Sequence, residues 1–342
     1  MRIRGLGRLN RAARRVLGPY RRGALILAYH RVAEYDRDPF LLHVSPRTFA
    51  RHLEIVRRAW RPVPLRDLAG PAARRRSLVI TLDDGYADNL REAKPLLARA
   101  GCPATVFVVS GAVGRRRGFW WDTLERCMLD PPELPRRIEI PLANGTAAWE
   151  IPPHAFTPSA PAWRTWHVYR DDFPSPRHRA LKELVALVRP LPDRERDPLL
   201  DLLARQTGVP TEIEPRRRAL DRDGLRELAA GGLVDIGAHT VSHPVLSRLT
   251  DEEQTEEIVR SRTDLEALLG TTVVSFAYPH GAKEDYTTHS VAAVRAAGFT
   301  VACSNFPGMA TAGTSPFELP RHLVEDWDGP TFERRLEEWL RQ

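Results

Sequence analysis

Cysteine and lysine are both scarce in this chain of 342 residues, and no long apolar run interrupts it. The three cysteines, Cys102, Cys127 and Cys303, are odd in number and lack metal-binding or disulfide spacing, which favours a reducing compartment. No stretch approaches the roughly 18 apolar residues that cross a bilayer, so the sequence predicts no membrane span.

Arginine carries almost all of the positive charge, because lysine occurs only three times and the net charge is +7. A basic balance can indicate nucleic acid or an anionic surface as a partner. Here acidic residues are interleaved with the arginines along the whole chain, and no nucleic-acid-binding module is recognised. The sequence therefore predicts no nucleic-acid partner, and the 42% hydrophobic residues favour a globular protein with a full core.

Residues 1–22 form a basic N-terminal extension without the continuous apolar segment of a signal peptide. Two interpretations stay open for it: an extension without regular structure, and a short helix in peripheral contact with an anionic membrane. Both agree with a cytoplasmic protein, which is the expected location. The oligomeric state stays open.

An alternation of apolar strands and amphipathic helices predicts an α/β fold with a parallel sheet. Strands are expected at 23–32, 77–82 and 103–109, and the alternation stops after the third of them. It resumes near residue 221 with four more strands. The predicted organisation has four parts: a basic extension (1–22), the first part of the α/β domain (23–114), an insertion forming a lid or small subdomain (115–220), and the second part with a C-terminal helix (221–342).

Acids and imidazoles recur where the predicted strands end, which is the edge where α/β folds place their active sites. These residues, in chain order, are Tyr29-His30, Asp83-Asp84, His239 with His243, Tyr278-Pro279-His280, and Arg321-His322.

The pair His239 and His243 has the four-residue spacing that lets two imidazoles converge on one metal ion. A divalent ion needs further ligands, and the adjacent carboxylates Asp83 and Asp84 offer one. A dication also offsets the repulsion between these carboxylates. The alternative for Asp83-Asp84-Gly85 is an ordinary hairpin turn. A helix pattern follows it, however, which favours the metal site.

Three motifs together resemble the polysaccharide deacetylase family (NodB homology, carbohydrate esterase family 4): "TLDDG" (81–85), "HTVSHP" (239–244) and "FAYPHG" (276–281). The resemblance covers roughly residues 23–110 and 221–328. It implies a distorted (β/α)7 barrel with a long insertion after the third strand. It also implies a hydrolase that acts on carbon–nitrogen bonds other than peptide bonds and removes acetyl groups from N-acetylated saccharides with one divalent metal.

The resemblance also assigns roles to individual residues. Asp84, His239 and His243 are the implied metal ligands, with Zn²⁺ as the first choice. Asp83 is the implied general base, which accepts a proton from the attacking water. A backbone N–H near Tyr278 is a candidate donor to the oxyanion.

Two departures from the family pattern concern Asp83 and the proton donor. The arginine that commonly pairs with the base is missing from residues 275–281, and Arg321 is the candidate substitute from a neighbouring strand. The usual acid is a histidine on the last barrel strand, so His322 is the first candidate and His30 and His280 are its rivals. Strand alternation predicts that Arg321 and His322 point to opposite sides.

Four residues are candidates for contact with the substrate. They are Tyr278, Pro279, His280 and Trp327; for Trp327, packing in the core is an equal alternative. The expected partner is an N-acetylated polysaccharide, oligosaccharide or glycolipid precursor. Two other functions stay open: a cyclic-amide hydrolase on the same fold, and a catalytically silent saccharide-binding protein.

Overall fold

The computed structural model describes residues 23–69, 76–142, 145–152 and 161–341. Its strands are β1 (Ala24–Tyr29), β2 (Arg31–Val32), β3 (His43–Val44), β4 (Arg61–Pro62), β5 (Ser77–Leu82), β6 (Ala104–Val108), β7 (Arg137–Leu142), β8 (Gly145–Glu150), β9 (Val234–Ala238), β10 (Ser275–Ala277), β11 (Val301–Cys303) and β12 (His322–Leu323). Its α-helices are α1 (Pro46–Ala59), α2 (Lys94–Ala100), α3 (Trp120–Leu129), α4 (Pro161–Arg164), α5 (Pro176–Val188), α6 (Asp193–Thr207), α7 (Arg222–Ala229), α8 (Asp251–Leu269), α9 (Thr288–Ala296) and α10 (Gly329–Leu340).

Seven strands lie side by side in the order β12-β1-β5-β6-β9-β10-β11, and every pairing between them is parallel. They correspond to the seven strands that the alternation predicts, and the short β4 adds an eighth beside β5. The segment at Leu319 bridges to Cys303 of β11, and β12, which follows it, pairs with β1. One segment thus connects the two edges of the sheet. The expected α/β fold with a distorted (β/α)7 barrel is confirmed.

The barrel is filled rather than hollow, because its strands bury both faces. Every residue of β1, β5 and β6 is buried, as expected for parallel strands covered on both sides. A cluster inside the barrel contains Ile26, Val79 and Phe107, whereas Leu25 and Leu27 belong to the larger cluster that includes the surrounding helices.

Helix ends largely follow the sequence signals. Ser45 caps α1 by accepting a hydrogen bond from the Thr48 N–H, and Thr250 and Glu253 form the predicted capping box of α8. The helix predicted over 87–101 differs, because it begins as a wide π turn over Asn89–Ala93 before α2. Pro95 has no N–H to donate back along the helix, so a regular α turn would lose a hydrogen bond at this point.

The predicted last strand is also shorter than expected. Only His322–Leu323 of the range 318–326 is a strand in the ladder. The flanking residues make isolated contacts, with the Leu319 N–H donating to Ala302 of β11 and the Val324 N–H to Ala28 of β1. Between them, the Arg321 N–H donates to the Phe306 carbonyl instead of to a neighbouring strand.

Helices α3, α5 and α6 and the hairpin β7–β8 pack into a second hydrophobic cluster, separate from the barrel core. Trp121, Met128 and Leu181 are among its buried members. Most of its buried members lie within the predicted insertion, and Tyr86 and Val109 join it from the first part of the α/β domain. The boundaries of the four-part division stay a prediction. Residues 1–22, with the predicted membrane contact, lie outside the described residues. Among the helices that are described, none is long and apolar enough to cross a membrane.

Candidate active site

Several residues at the carboxyl end of the barrel adopt a left-handed backbone conformation that side chains other than glycine rarely take. Asp84, Thr240, His243 and His280 have φ values of 72°, 64°, 57° and 59°. Such strain costs of the order of 1–3 kcal/mol per residue and typically collects at functional sites. The concentration of strained residues therefore indicates that this edge of the barrel is a functional site.

The side chains of Asp84, His239 and His243 converge at this edge, with their ligand atoms all within 4.8 Å of one another. Asp84 Oδ1 lies 3.5 Å from His243 Nε2 and 3.8 Å from His239 Nε2. All three residues are buried. Two imidazole nitrogens and one carboxylate oxygen are a ligand set that divalent zinc takes in proteins.

Hydrogen bonds around His239 leave the right nitrogen free for a metal. Its Nδ1 donates to the Ala277 carbonyl at 2.7 Å, so Nε2 keeps its lone pair and faces Asp84. Its backbone N–H donates to the Val108 carbonyl and thereby continues the pairing of β9 with β6. Burial lowers the pKa of His239 to about 4, despite the opposing charge of Asp83. The imidazole is therefore neutral, as a ligand must be.

Asp84 is a buried carboxylate with an unsatisfied oxygen. Its Oδ1 has no hydrogen-bond partner within the described part of the chain. Burial, and then the charges of Asp83 and Asp122, raise the pKa of Asp84 well above its usual value. An uncompensated buried carboxylate is expensive, and a bound cation compensates it. The residues present therefore fit a divalent metal ion.

Asp83 is held by Arg321 in a bidentate ion pair. Arg321 Nη1 and Nη2 donate to the two carboxylate oxygens of Asp83 at 2.7 Å each. Arg321 also donates through Nε to the Ser304 carbonyl, and it is 1% exposed. Burial opposes ionisation of Asp83, but Arg321 and then His239 outweigh it and hold its pKa at about 2. Asp83 is thus an ionised carboxylate with a fixed orientation.

Both aspartates open into a cavity of about 480 Å³. His30, His239, His243 and His280 also line it, and Trp120, Trp121, Val168, Tyr169, Val185 and Arg189 contribute a wall from the predicted insertion. Its rim is partly apolar, because two exposed hydrophobic residues, Tyr169 and Leu323, line it.

The structure places His322 away from this cavity. Arg321 and His322 point to opposite sides of the strand, and the His322 ring stacks on Trp339 of α10 at 4.2 Å between centroids. Burial lowers the pKa of His322 to about 4. The sequence-based first choice for the proton donor therefore has no geometric support, because the side chain that alternation brings to the site is Arg321.

Two of the candidate substrate contacts pack elsewhere. The Tyr278 hydroxyl donates to the Phe317 carbonyl, and its ring stacks on Tyr286. The Trp327 ring packs against the barrel core. Neither they nor Pro279 line the 480 Å³ cavity, whereas His280 does.

The chain is similar to known proteins in both sequence and structure. The family model described as "Polysaccharide deacetylase" matches residues 70–138 and 204–302. This chain belongs to the polysaccharide deacetylase family. Members of the family are hydrolases that act on N-acetyl amides. Among curated proteins, no sequence match was found.

Solved deacetylase structures share the fold at low sequence identity. IcaB from Ammonifex degensii is 20% identical, with a TM-score of 0.56 over 94% of this chain and 97% of its own. Streptococcus pyogenes deacetylase PplD in complex with acetate is 16% identical, with a TM-score of 0.55 over 93% and 98% of the two chains. A polysaccharide deacetylase from Bacillus cereus is 15% identical, with a TM-score of 0.55 over 92% and 69%.

Glu257 is a site residue that the sequence does not reveal. Its carboxylate accepts hydrogen bonds from the backbone N–H groups of Val241 and Ser242 at 2.8 and 2.9 Å and from the Ser242 hydroxyl at 2.7 Å. It therefore clamps the turn between His239 and His243. Helix α8 carries many acidic residues, and only the fold brings this one beneath the turn.

A buried hydrogen-bond network behind the cavity was also not predicted from the sequence. Trp121 lies edge-on to His243 at 4.8 Å between centroids, and its Nε1 donates to the Tyr86 hydroxyl. Tyr86 in turn donates to Asp122, whose pKa burial raises to about 6 despite the nearby Arg31. From the sequence, the adjacent tryptophans Trp120 and Trp121 are compatible with stacking on a sugar, but packing of an insertion helix is the favoured interpretation.

Proposed function

We propose that the chain is a metal-dependent hydrolase that removes the acetyl group of an N-acetylated saccharide, with Asp83 as the general base. One observation carries this proposal: the Asp84–His239–His243 cluster and the Asp83–Arg321 pair open into the same cavity. Membership of the deacetylase family supplies the reaction class.

Asp84, His239 and His243 are the proposed metal ligands, and Zn²⁺ is the proposed ion because two imidazoles and one carboxylate are a ligand set of catalytic zinc. When bound, the ion lowers the pKa of a coordinated water towards about 7 and polarises an amide carbonyl. The chain itself contributes the neutral imidazoles, the clamped turn between them and the exclusion of bulk water by Trp120 and Trp121.

Asp83 accepts one proton of the attacking water in this proposal. Its low pKa keeps it ionised at neutral pH, and the Arg321 fork fixes both of its oxygens. The water oxygen then bonds to the acetyl carbon, the carbon–nitrogen bond breaks, and acetate and the sugar amine are released. The leaving nitrogen must gain a proton, because an amide nitrogen leaves poorly as an anion.

His30 is the proposed proton donor to that nitrogen. It follows β1, the strand paired with β5, and lines the cavity with Asp83. The Asp83 N–H donates to the carbonyl of Tyr29, the residue before His30, which holds the two strand ends side by side. His322 is not retained in this role because it stacks on Trp339 outside the cavity.

The proposed oxyanion donor is the backbone N–H of His280. The N–H of Tyr278 is already bonded to the Cys303 carbonyl at 3.0 Å. For the His280 N–H, by contrast, the described residues provide no backbone hydrogen-bond acceptor. Its left-handed backbone and cavity-lining side chain place it beside the ligand cluster.

Acetate release from N-acetylglucosamine oligomers and N-acetylated glycolipids tests the proposal, combined with metal analysis. We expect about one equivalent of zinc, lost in His239→Ala and retained in His289→Ala, a half-exposed control on α9. We expect Asp83→Asn to keep zinc and to lose at least about 10²-fold in rate. Undiminished acetate release from Asp83→Asn or from metal-free protein would overturn the proposal.

The same assays separate the two other functions. Ring opening of a cyclic ureide without acetate release would favour a cyclic-amide hydrolase. Saccharide binding without turnover would favour a silent binding protein. That last interpretation depended on the missing arginine of residues 275–281, and Arg321 now stands beside Asp83 in its place.

A further inference from the structure

A second, smaller cavity lies behind the active-site wall and is separate from the proposed metal ligands. Arg115, Arg117 and Arg196 line it, with Asp197 as the acidic residue among its lining side chains. Trp120 lines both this cavity and the 480 Å³ cavity, so its ring forms part of the wall between them.

Arg196 is a buried cation with unused donors. It is 4% exposed, and its Nε and Nη1 have no hydrogen-bond partner in the described portions of the chain. Its Nη2 donates to the Ser242 carbonyl at 3.0 Å. The Trp120 ring, 5.9 Å from the guanidinium, gives a weak cation–π contact. The carboxylates of Asp197, Asp193 and Glu257 favour the charged form of Arg196 from a distance, but among the described residues none is in a direct ion pair with it. A buried guanidinium without a direct ion pair favours an anion nearby.

Two other residues that line the same cavity also carry unused donors. Within the described segments, Trp120 Nε1 and Arg117 Nε are buried without a partner. Together with the two nitrogens of Arg196, four buried donor atoms on three lining residues have no acceptor among the described residues. Buried donors are normally satisfied, so a concentration of unsatisfied ones indicates a missing acceptor.

The size and the lining of this cavity limit the kinds of acceptor that it can hold. The free space for water-sized atoms is about 40 Å³. One bound water needs about 10–15 Å³ on this measure, so the cavity holds about three or four heavy atoms. Val109, Ala112, Leu200 and Ala219 supply apolar wall beside the arginines. Cationic donors next to an apolar wall suit a small carboxylate with a methyl group better than a fully hydrated inorganic anion.

We propose that this cavity, centred on Arg196, binds a small monocarboxylate of the size of acetate. The cavity and its donors are independent of the proposed function. The choice of acetate rests on that function, because acetate is what a deacetylase releases. The Ser242 carbonyl, which Arg196 contacts, belongs to the turn before His243, so the site touches the ligand-bearing loop directly.

Binding of acetate to metal-free protein tests the site apart from the metal ligands. Saturation-transfer NMR on the acetate methyl group, at constant ionic strength set with chloride, gives the dissociation constant. We expect acetate to bind metal-free protein and the neutral isostere acetamide to bind at least about tenfold more weakly, since hydrogen bonds to a charged group contribute about 1.5–3 kcal/mol.

Variants assign the binding to this cavity. We expect Arg196→Gln to weaken acetate binding at least about tenfold. Arg194→Gln is the matched control, because Arg194 lies on the same helix, is exposed and pairs with Glu253. If circular dichroism shows that Arg196→Gln is unfolded, Arg117→Gln replaces it, with weaker acetate binding again expected.

Three outcomes would overturn the inference. They are no acetate binding without metal, equal binding by a folded Arg196→Gln, and equal competition by chloride, which would remove the carboxylate preference. Acetate binding that appears only after zinc is restored would assign it to the metal ligands. The proposed deacetylase function would stand in that case, whereas a failure of acetate release would leave this binding test unaffected.

Discussion

Arg321 and Asp83 are separated by 238 positions in the chain and form a buried bidentate ion pair at the mouth of the barrel. The guanidinium comes from the segment before β12, and the carboxylate follows β5, with β1 lying between these strands. The proposed base and its partner are therefore supplied by non-adjacent strands, and the pair exists only in the folded barrel.

Removing one partner of this ion pair is expected to lower the free energy of unfolding. Arg321→Met leaves the Asp83 carboxylate buried without its counter-charge, so we expect a loss of about 3–5 kcal/mol in the free energy of unfolding. Asp83→Asn combined with Arg321→Met removes both charges, and its loss is expected to be smaller than the sum of the single losses. Urea unfolding of metal-free proteins measures all three; strictly additive losses would contradict the coupling.

Glu257 is expected to act on metal affinity through the turn that it clamps. Glu257→Ala removes the acceptor of three hydrogen bonds at Val241 and Ser242. We expect zinc affinity to fall about 10–100-fold, as for other residues that orient metal ligands. Chelator competition measures it, with Glu256→Ala as the control because Glu256 is exposed on the same helix. Equal zinc dissociation constants for folded Glu257→Ala and the parent would rule out the positioning role.

Substituting each of the two candidate proton donors, His30 and His322, in turn distinguishes their roles. We expect His30→Gln to keep its zinc and to lose about 10²–10⁴-fold in kcat, the range for a general acid. His322→Gln should keep most of its kcat, since His322 stacks on Trp339, and should lose stability instead. Steady-state kinetics with thermal unfolding give both quantities. A larger kcat loss in His322→Gln than in His30→Gln would reverse the assignment.

His52 is expected to make stability depend on pH. Its Nε2 donates to the Trp327 carbonyl, its Nδ1 accepts from the Tyr29 hydroxyl, and burial lowers its pKa to about 4. An unfolded histidine titrates near 6.5, so between about pH 6.5 and 4 the unfolded chain binds more protons and stability falls as the pH falls. Across this range, the lowered pKa of His52 reduces the free energy of unfolding by about 3 kcal/mol.

Substitution of His52 isolates that contribution. His52→Gln keeps a side chain that hydrogen-bonds but does not titrate. Urea unfolding between pH 7.5 and 4.5 should therefore show a flatter decline for the variant than for the parent. Parallel declines would assign the acid sensitivity to other groups.

The barrel and the convergence of Asp84, His239 and His243 could be predicted from the sequence because both depend on local patterns. Apolar runs that end in polar residues locate the strands, and parallel strands bring those ends to one edge. Asp84, His239 and His243 follow from that edge and from their motif. Arg321 was predicted only as a candidate, since a departure from the motif shows that a partner is missing but not where it comes from.

Other parts of the site depend on packing that local patterns do not encode. Glu257 and Arg196 lie on ordinary amphipathic helices, and nothing in their neighbourhood along the chain distinguishes them from exposed charges. The preference for His322 over His30 failed geometrically because the choice depends on which face of a two-residue strand enters the cavity. Strand alternation predicts that Arg321 and His322 point to opposite faces, but only the folded structure shows which of them faces the cavity.

The order of the site along the chain has a consequence for how activity arises during synthesis. All three proposed metal ligands precede residue 244, whereas the segment 319–323 both links the edges of the sheet and supplies Arg321. A nascent chain that ends before Leu319 contains every proposed ligand but not the segment that links the sheet edges or the counter-charge of Asp83. In the proposed mechanism, the residues for metal binding are therefore synthesised before the partner of the proposed base.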